Sequence, residues 1–125
     1  THTIFVEGKE AEIITGKKGA KTAITALHRC GVKNVLFKAE NGLVFSDGRK
    51  TYFQPIAPVR LTDTTGVGDV IGAALIHFFY DKKFEIKKSL LLTELAAAVK
   101  VMHYGFYAPS FLEIKEAAIK LKWKV

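Results

Sequence analysis

The sequence lacks the features that would place it outside ordinary intracellular globular proteins. Its 125 residues include one cysteine, Cys30, so no internal disulfide can form, and this suits a reducing compartment. No apolar stretch approaches the ~20 residues of a membrane span. The first residues also lack the charged-then-apolar pattern of a signal peptide. We therefore expect a cytoplasmic protein with no membrane association.

Arginine is scarce although the chain is basic. The net charge is +7, yet only Arg29, Arg49 and Arg60 are present, and they do not alternate with aromatic residues. The lysines are spread along the chain. This pattern favours a solvated surface that attracts an anionic substrate over a nucleic-acid interface, which rests on charge alone and is the weaker hypothesis.

Several common catalytic signatures are missing. No G-x-x-x-x-G-K-[ST] motif occurs, which excludes a P-loop site. Gly66, Gly68 and Gly72 approach a dinucleotide fingerprint, but Asp69 would face the pyrophosphate. No strand ending in an acid follows about 20 residues later, where a ribose contact is needed. The four histidines lack metal-ligand spacing.

The most informative stretch is Asp-Thr-Thr-Gly-Val-Gly-Asp at residues 63–69, which precedes an apolar run at residues 70–79. The run is apolar nearly all round and predicts a buried helix. Gly66 and Gly68 would then lie at the helix N-terminus, where backbone N–H groups lack partners and an anion can approach closely. This predicts a phosphate site. Asp69 would repel a resting phosphate, but it suits a general base beside one.

The remaining segments predict an α/β domain over residues 1–125. Strands are expected at residues 3–6 and 34–37, and a hairpin around Asp47-Gly48. Helices are expected near residues 10–15, 18–30 and 86–102, and from Ser110 onwards, where Glu113 completes a capping-box pattern. The alternation of helices with apolar strands favours a parallel sheet.

Residues 63–69 resemble the DTTGAGD signature of the ribokinase-like (PfkB) sugar and nucleoside kinases, with Val67 in place of alanine. The resemblance covers nearly the whole chain but only the C-terminal half of the family. It implies a three-layer αβα fold with a mostly parallel sheet, a β-hairpin and helices on both faces. Because the family's N-terminal half supplies most sugar contacts, we expect a fragment of a longer kinase, and either a homo-oligomer or a complementing N-terminal half as partner.

The resemblance also implies an activity, namely ATP-dependent phosphoryl transfer to a hydroxyl of a sugar or nucleoside-like substrate. Asp69 would take the hydroxyl proton. The backbone N–H groups of Gly66, Val67 and Gly68 would hold the charge that develops on the moving phosphoryl group.

Further site residues follow from the resemblance alone. Nucleotide contacts are implied for Ala39, Gly42, Gly68 and Glu94. Cation sites are implied in two places: Glu10 would lie in the outer sphere of Mg²⁺, and Asp63 and Thr65 would help to bind a monovalent cation such as K⁺.

The chain also departs from the family pattern. Glu7 stands where the family has asparagine, and Phe37 and Ala39 replace the threonine and first glycine of a T-x-G-x-x-G segment. These departures keep a second hypothesis open, a non-catalytic nucleotide-binding or assembly module that retains the kinase fold.

Overall fold

A computed structural model describes residues 3–16 and 19–124 of the chain. Backbone contacts divide it into two compact units, Thr1–Ile56 and Ala57–Val125, each with its own hydrophobic cluster. The single domain expected over residues 1–125 stays a prediction.

The first unit contains a four-stranded sheet in the order β1-β2-β3-β4. The strands are β1 (Thr3–Glu7), β2 (Asn34–Ala39), β3 (Gly42–Ser46) and β4 (Thr51–Pro55). The expected strands and hairpin are confirmed. However, β1 and β2 pair in parallel, whereas β2–β3 and β3–β4 pair antiparallel. The described sheet is therefore mixed and not mostly parallel, because the hairpin extends it directly from β2.

Two helices accompany this sheet, α1 (Gly8–Thr15) and α2 (Ala20–Arg29). α2 buries the side chains that its spacing marks as one apolar face: Ala23, Ile24 and Leu27. They join a cluster with apolar residues of β1 and β2. Burial of such side chains contributes roughly 1.5–3 kcal/mol each for the larger ones, so this face holds α2 against the strands.

The second unit is helical. It contains α3 (Val67–Leu75), a π-helical segment (Ile76–Asp81), α4 (Ile86–Val101) and α5 (Phe111–Leu121). At the end of the π-helical segment the Lys82 N–H donates to the His77 carbonyl at 2.9 Å, five residues earlier. The cluster between these helices consists of buried side chains: Phe78, Leu92, Leu95, Ala96, Val99, Ile114, Ala117 and Ala118. None of the helices in the described ranges is long and apolar enough to cross a membrane.

The helix after the glycine-rich stretch is buried on one face only. Val67, Ile71 and Leu75 are buried, whereas Ala73 is exposed. The prediction of burial all round is wrong for this chain. One face of α3 packs against α4, and no other described helix of the second unit covers α3 to the same extent. An apolar composition on all sides does not tell which face finds a partner.

The capping box predicted at the start of α5 is confirmed. The Ser110 hydroxyl accepts a hydrogen bond from the Glu113 N–H at 3.2 Å, and the Ser110 N–H donates to the Glu113 carboxylate at 3.0 Å. Two donors that the helix itself leaves without partners are thereby satisfied.

Candidate active site

The glycine-rich stretch starts α3 in the expected way. Gly66 is the N-cap in a left-handed conformation, with φ 76° and ψ 7°, and no side chain caps the helix. The Val70 N–H donates to the Gly66 carbonyl at 3.2 Å, which is the first helical bond. A Cβ at Gly66 would also lie 2.9 Å from Cδ1 of Phe106. The backbone angle requires glycine here, and any side chain would also displace the exposed Phe106 ring.

The backbone donors at this helix start differ from one another. The Val67 N–H donates to the Thr64 carbonyl at 3.1 Å, in a turn inside the signature, and its contact with an anion stays a prediction. In the described ranges the N–H groups of Gly68 and Asp69 meet no acceptor. The uncapped start of α3 thus offers the amides of residues 68 and 69, together with the positive end of the helix dipole.

Asp69 lies in the first turn of α3 with its side chain exposed. The structure gives it no ion pair or side-chain hydrogen bond to any described residue. A carboxylate in this state can accept a proton from a bound alcohol without first breaking an interaction within the protein.

The first aspartate of the signature is instead tightly bound. One oxygen of Asp63 accepts from the Thr65 N–H at 2.9 Å and from the Thr65 hydroxyl at 2.6 Å. The other accepts from the Gly105 N–H at 2.7 Å. The Thr65 hydroxyl, the Gly105 N–H and the Thr65 N–H, in that order, lower the pKa of the Asp63 carboxyl to about 2. Asp63 therefore fixes the shape of the loop.

Lys100, on α4, also contacts this loop. Its side chain is fully buried, and its Nζ donates to the backbone carbonyls of Asp63 and His103, each at 3.1 Å. No sequence pattern signals this position, because a lysine between valines of an apolar helix is most often at its solvated edge.

Glu94 lies on the same helix and is buried, with 6% of its surface exposed. One carboxylate oxygen accepts from the Ala57 N–H at 3.2 Å. Next to it, the hydroxyl of Thr93 is buried without a hydrogen-bond partner in the part of the chain that the structure describes. Glu94 supports the segment that leads to the signature, and its nucleotide contact stays a prediction.

The other expected site residues belong to the first unit. Glu10 lies in the first turn of α1, is exposed, and accepts from the Glu7 N–H at 3.0 Å. Ala39 ends β2 and pairs with Gly42 across a two-residue turn. A Cβ at Gly42 would lie 2.0 Å from the Gln54 carbonyl oxygen, so the hairpin itself requires this glycine.

The residues of the signature lie together in one segment of the second unit. Asp63, Thr65 and residues 66–69 form one loop and helix start in the second unit, whereas Glu10, Ala39 and Gly42 lie in the first. Among the described residues no group of three or more His, Cys, Asp or Glu side chains could hold a metal ion.

Comparison with known proteins identifies a family. The model of the pfkB family carbohydrate kinases matches residues 1–112. A cytidine kinase of Thermococcus kodakarensis is 34% identical over 76 residues, which are 58% of this chain and 27% of that protein.

Solved structures agree on the fold. The Arabidopsis thaliana ribokinase solved with ribose and ATP has a TM-score of 0.85 at 24% identity. The match covers 98% of this chain and 41% of the ribokinase chain. An E. coli ribokinase II solved with ATP and Mg²⁺ has a TM-score of 0.86 at 23% identity. That match covers 96% of this chain and 40% of the ribokinase II chain. The expected ribokinase-like α/β fold is thereby confirmed. The chain spans about two fifths or less of the length of these relatives.

Proposed function

Because the chain belongs to the pfkB family of carbohydrate kinases, we propose that it forms the catalytic part of an enzyme that transfers a phosphoryl group from ATP to a hydroxyl of a sugar or nucleoside-like acceptor. One observation carries this proposal. The exposed, unpaired carboxylate of Asp69 stands in the first turn of α3, beside backbone amides that have no acceptor among the described residues.

In this mechanism Asp69 takes the proton from the attacking hydroxyl as the hydroxyl oxygen bonds to the γ-phosphorus of ATP. The bond from that phosphorus to the bridging oxygen breaks, and ADP leaves. The transferred group gains negative charge on its equatorial oxygens, and the amides of Gly68 and Asp69 donate to them at the positive end of α3. A preorganised donor of this kind can contribute roughly 3 kcal/mol to the transition state. Asp63 and its hydrogen bonds hold the loop in the required shape.

ATP and Mg²⁺ are the proposed donor and cofactor. Their support is that one similar structure contains ATP and Mg²⁺ and another contains ribose and ATP. Mg²⁺ would neutralise charge on the phosphates. Glu10 is the proposed outer-sphere residue, since among the described residues only one of its carboxylate oxygens accepts a hydrogen bond, from the Glu7 N–H. Ala39, Gly42 and Glu94 remain proposed nucleotide contacts.

The acceptor pocket is proposed to come from polypeptide outside these 125 residues, either in the same reading frame or from a partner. The support is that the chain matches 27% of the cytidine kinase and about 40% of the ribokinase structures. A cytoplasmic location is part of the same proposal, because the cytoplasm supplies ATP as the phosphoryl donor.

The test compares Asp69→Asn with the matched control Asp81→Asn, which makes the same change at an exposed acid after α3. Phosphoryl transfer from radiolabelled ATP is measured over a panel of sugars and nucleosides, with the chain alone and within the longest polypeptide of its reading frame. We expect Asp69→Asn to abolish transfer while calorimetry still detects binding of a non-hydrolysable ATP analogue. Turnover by Asp69→Asn comparable to that of Asp81→Asn would exclude Asp69 as the base.

The same measurements distinguish the catalytic proposal from the second hypothesis, a non-catalytic nucleotide-binding or assembly module. It is favoured by the departures at Glu7, Phe37 and Ala39 and by a structural need for Gly42 that involves no nucleotide. Such a module would bind the ATP analogue, yet in no form of the protein would it transfer phosphate to an acceptor.

A further inference from the structure

The buried side chain of Lys100 needs an explanation beyond helix packing. Its surface is 0% exposed, and the partners of its Nζ are two backbone carbonyls, those of Asp63 and His103. A buried charge is costly unless polar groups compensate it. Here the compensation comes from carbonyl oxygens, with the carboxylate of Asp63 close enough for the Lys100 charge to help lower its pKa.

Carbonyl oxygens around a compact single positive charge are the usual environment of a bound alkali cation. This is also the loop in which the family resemblance implies a monovalent cation, with Asp63 and Thr65 as ligands. The residues present can therefore be tested for their fit to such an ion.

They do not fit. Both carboxylate oxygens of Asp63 already accept hydrogen bonds, from Thr65 and Gly105. The Thr65 hydroxyl donates to Asp63, and the carbonyls of Asp63 and His103 accept from Lys100. An added cation would compete with an ammonium group for the same oxygens and would be repelled by its charge.

We propose that the ammonium group of Lys100 takes the place of a monovalent cation in this loop. A lysine ammonium is a compact point charge with three donors on a flexible stem. That of Lys100 is anchored to α4 through its own side chain, and it donates hydrogen bonds both to the signature loop and to the turn after α4. The protein should then need no K⁺ to order this loop. The inference rests on the proposed function only in regarding the loop as part of an active site.

The test measures thermal unfolding of the chain in KCl, RbCl or N-methylglucamine chloride at matched ionic strength, so that general screening is equal. We expect the wild type to have the same Tm in all three salts. In Lys100→Ala the Tm should fall in N-methylglucamine and rise saturably by several degrees with K⁺ or Rb⁺, because a cation that binds only the native state stabilises it. The Tm of Lys100→Met should fall by a similar amount and should not recover with K⁺ or Rb⁺, because the methionine side chain fills the space that a cation would occupy.

Two results would overturn the proposal. One is a saturable rise of the wild-type Tm that is specific for K⁺ or Rb⁺. The other is a Lys100→Ala variant that responds to K⁺ no more than Lys100→Met does. If Lys100→Ala does not fold, the wild-type titration decides alone. None of these readouts requires phosphoryl transfer, so a failed kinase assay and a failed cation assay are separate outcomes.

Discussion

The carboxylate of Asp63 accepts a hydrogen bond of 2.7 Å from the backbone N–H of Gly105, and this contact ties the signature loop to the turn after α4. The two residues are 42 positions apart in the chain. With the Lys100 contacts to the same two segments, this bond makes the shape of the loop depend on a tertiary contact.

The first prediction concerns stability against pH. The pKa of Asp63 lies near 2, below its ordinary value of 3.8, so folding favours the ionised carboxylate. This contribution is fully present above the ordinary pKa and is lost as the pH falls from about 4 towards 2. The free energy of unfolding, measured by urea denaturation over this range, should fall more steeply for the wild type than for Asp63→Asn. Parallel profiles would show that the hydrogen bonds of Asp63 are not maintained in solution.

The second prediction concerns the N-cap of α3. In Gly66→Ala the alanine must adopt φ 76°, which should cost about 1–2 kcal/mol of unfolding free energy. The nearby ring of Phe106 is exposed and can move, so it should add little.

The matched control for that variant is Gly72→Ala, inside the same helix. A Cβ there would have no described atom within 4 Å apart from the helix backbone around it, and alanine is a better helix former by roughly 0.5–1 kcal/mol. We expect Gly72→Ala to leave stability unchanged or to raise it. If chemical denaturation shows equal losses of unfolding free energy for Gly66→Ala and Gly72→Ala, Gly66 does not adopt the left-handed conformation in solution.

The third prediction concerns the capping box of α5. Ser110→Ala removes the hydroxyl that accepts from the Glu113 N–H and should lower the unfolding free energy by about 1 kcal/mol. Ser110→Thr keeps a hydroxyl and should recover most of the loss. Urea midpoints at a constant m-value provide the comparison. Indistinguishable midpoints for the alanine and threonine variants would argue against the cap.

Much of the fold was predictable because local signals and tertiary structure agree. The α2 face of Ala23, Ile24 and Leu27, the Asp47-Gly48 hairpin and the Ser110 cap all follow from spacing and turn chemistry, and all are present. The mixture of parallel and antiparallel pairing in the sheet was not predictable, because the sequence of a hairpin does not indicate which neighbouring strand it pairs with.

The candidate site was predictable where side chains carry the signal and unpredictable where the backbone does. The glycine pattern locates the start of α3 correctly. The turn that occupies the Val67 N–H, and the carbonyls that surround the Lys100 ammonium, are main-chain groups that every residue possesses. No residue type marks them, so the family resemblance could imply a cation site without revealing that a lysine ammonium lies in this loop.

The close approach of Gly42 to the Gln54 carbonyl affects how motifs of this kind are counted. Any side chain at position 42 would collide with the opposite strand, so glycine would be retained there even in a homologue that had lost its ligand. Gly42 therefore matches the family segment for a structural reason and does not by itself indicate nucleotide binding. Weight belongs instead to positions such as Asp69, which the fold leaves free to vary and only chemistry would preserve.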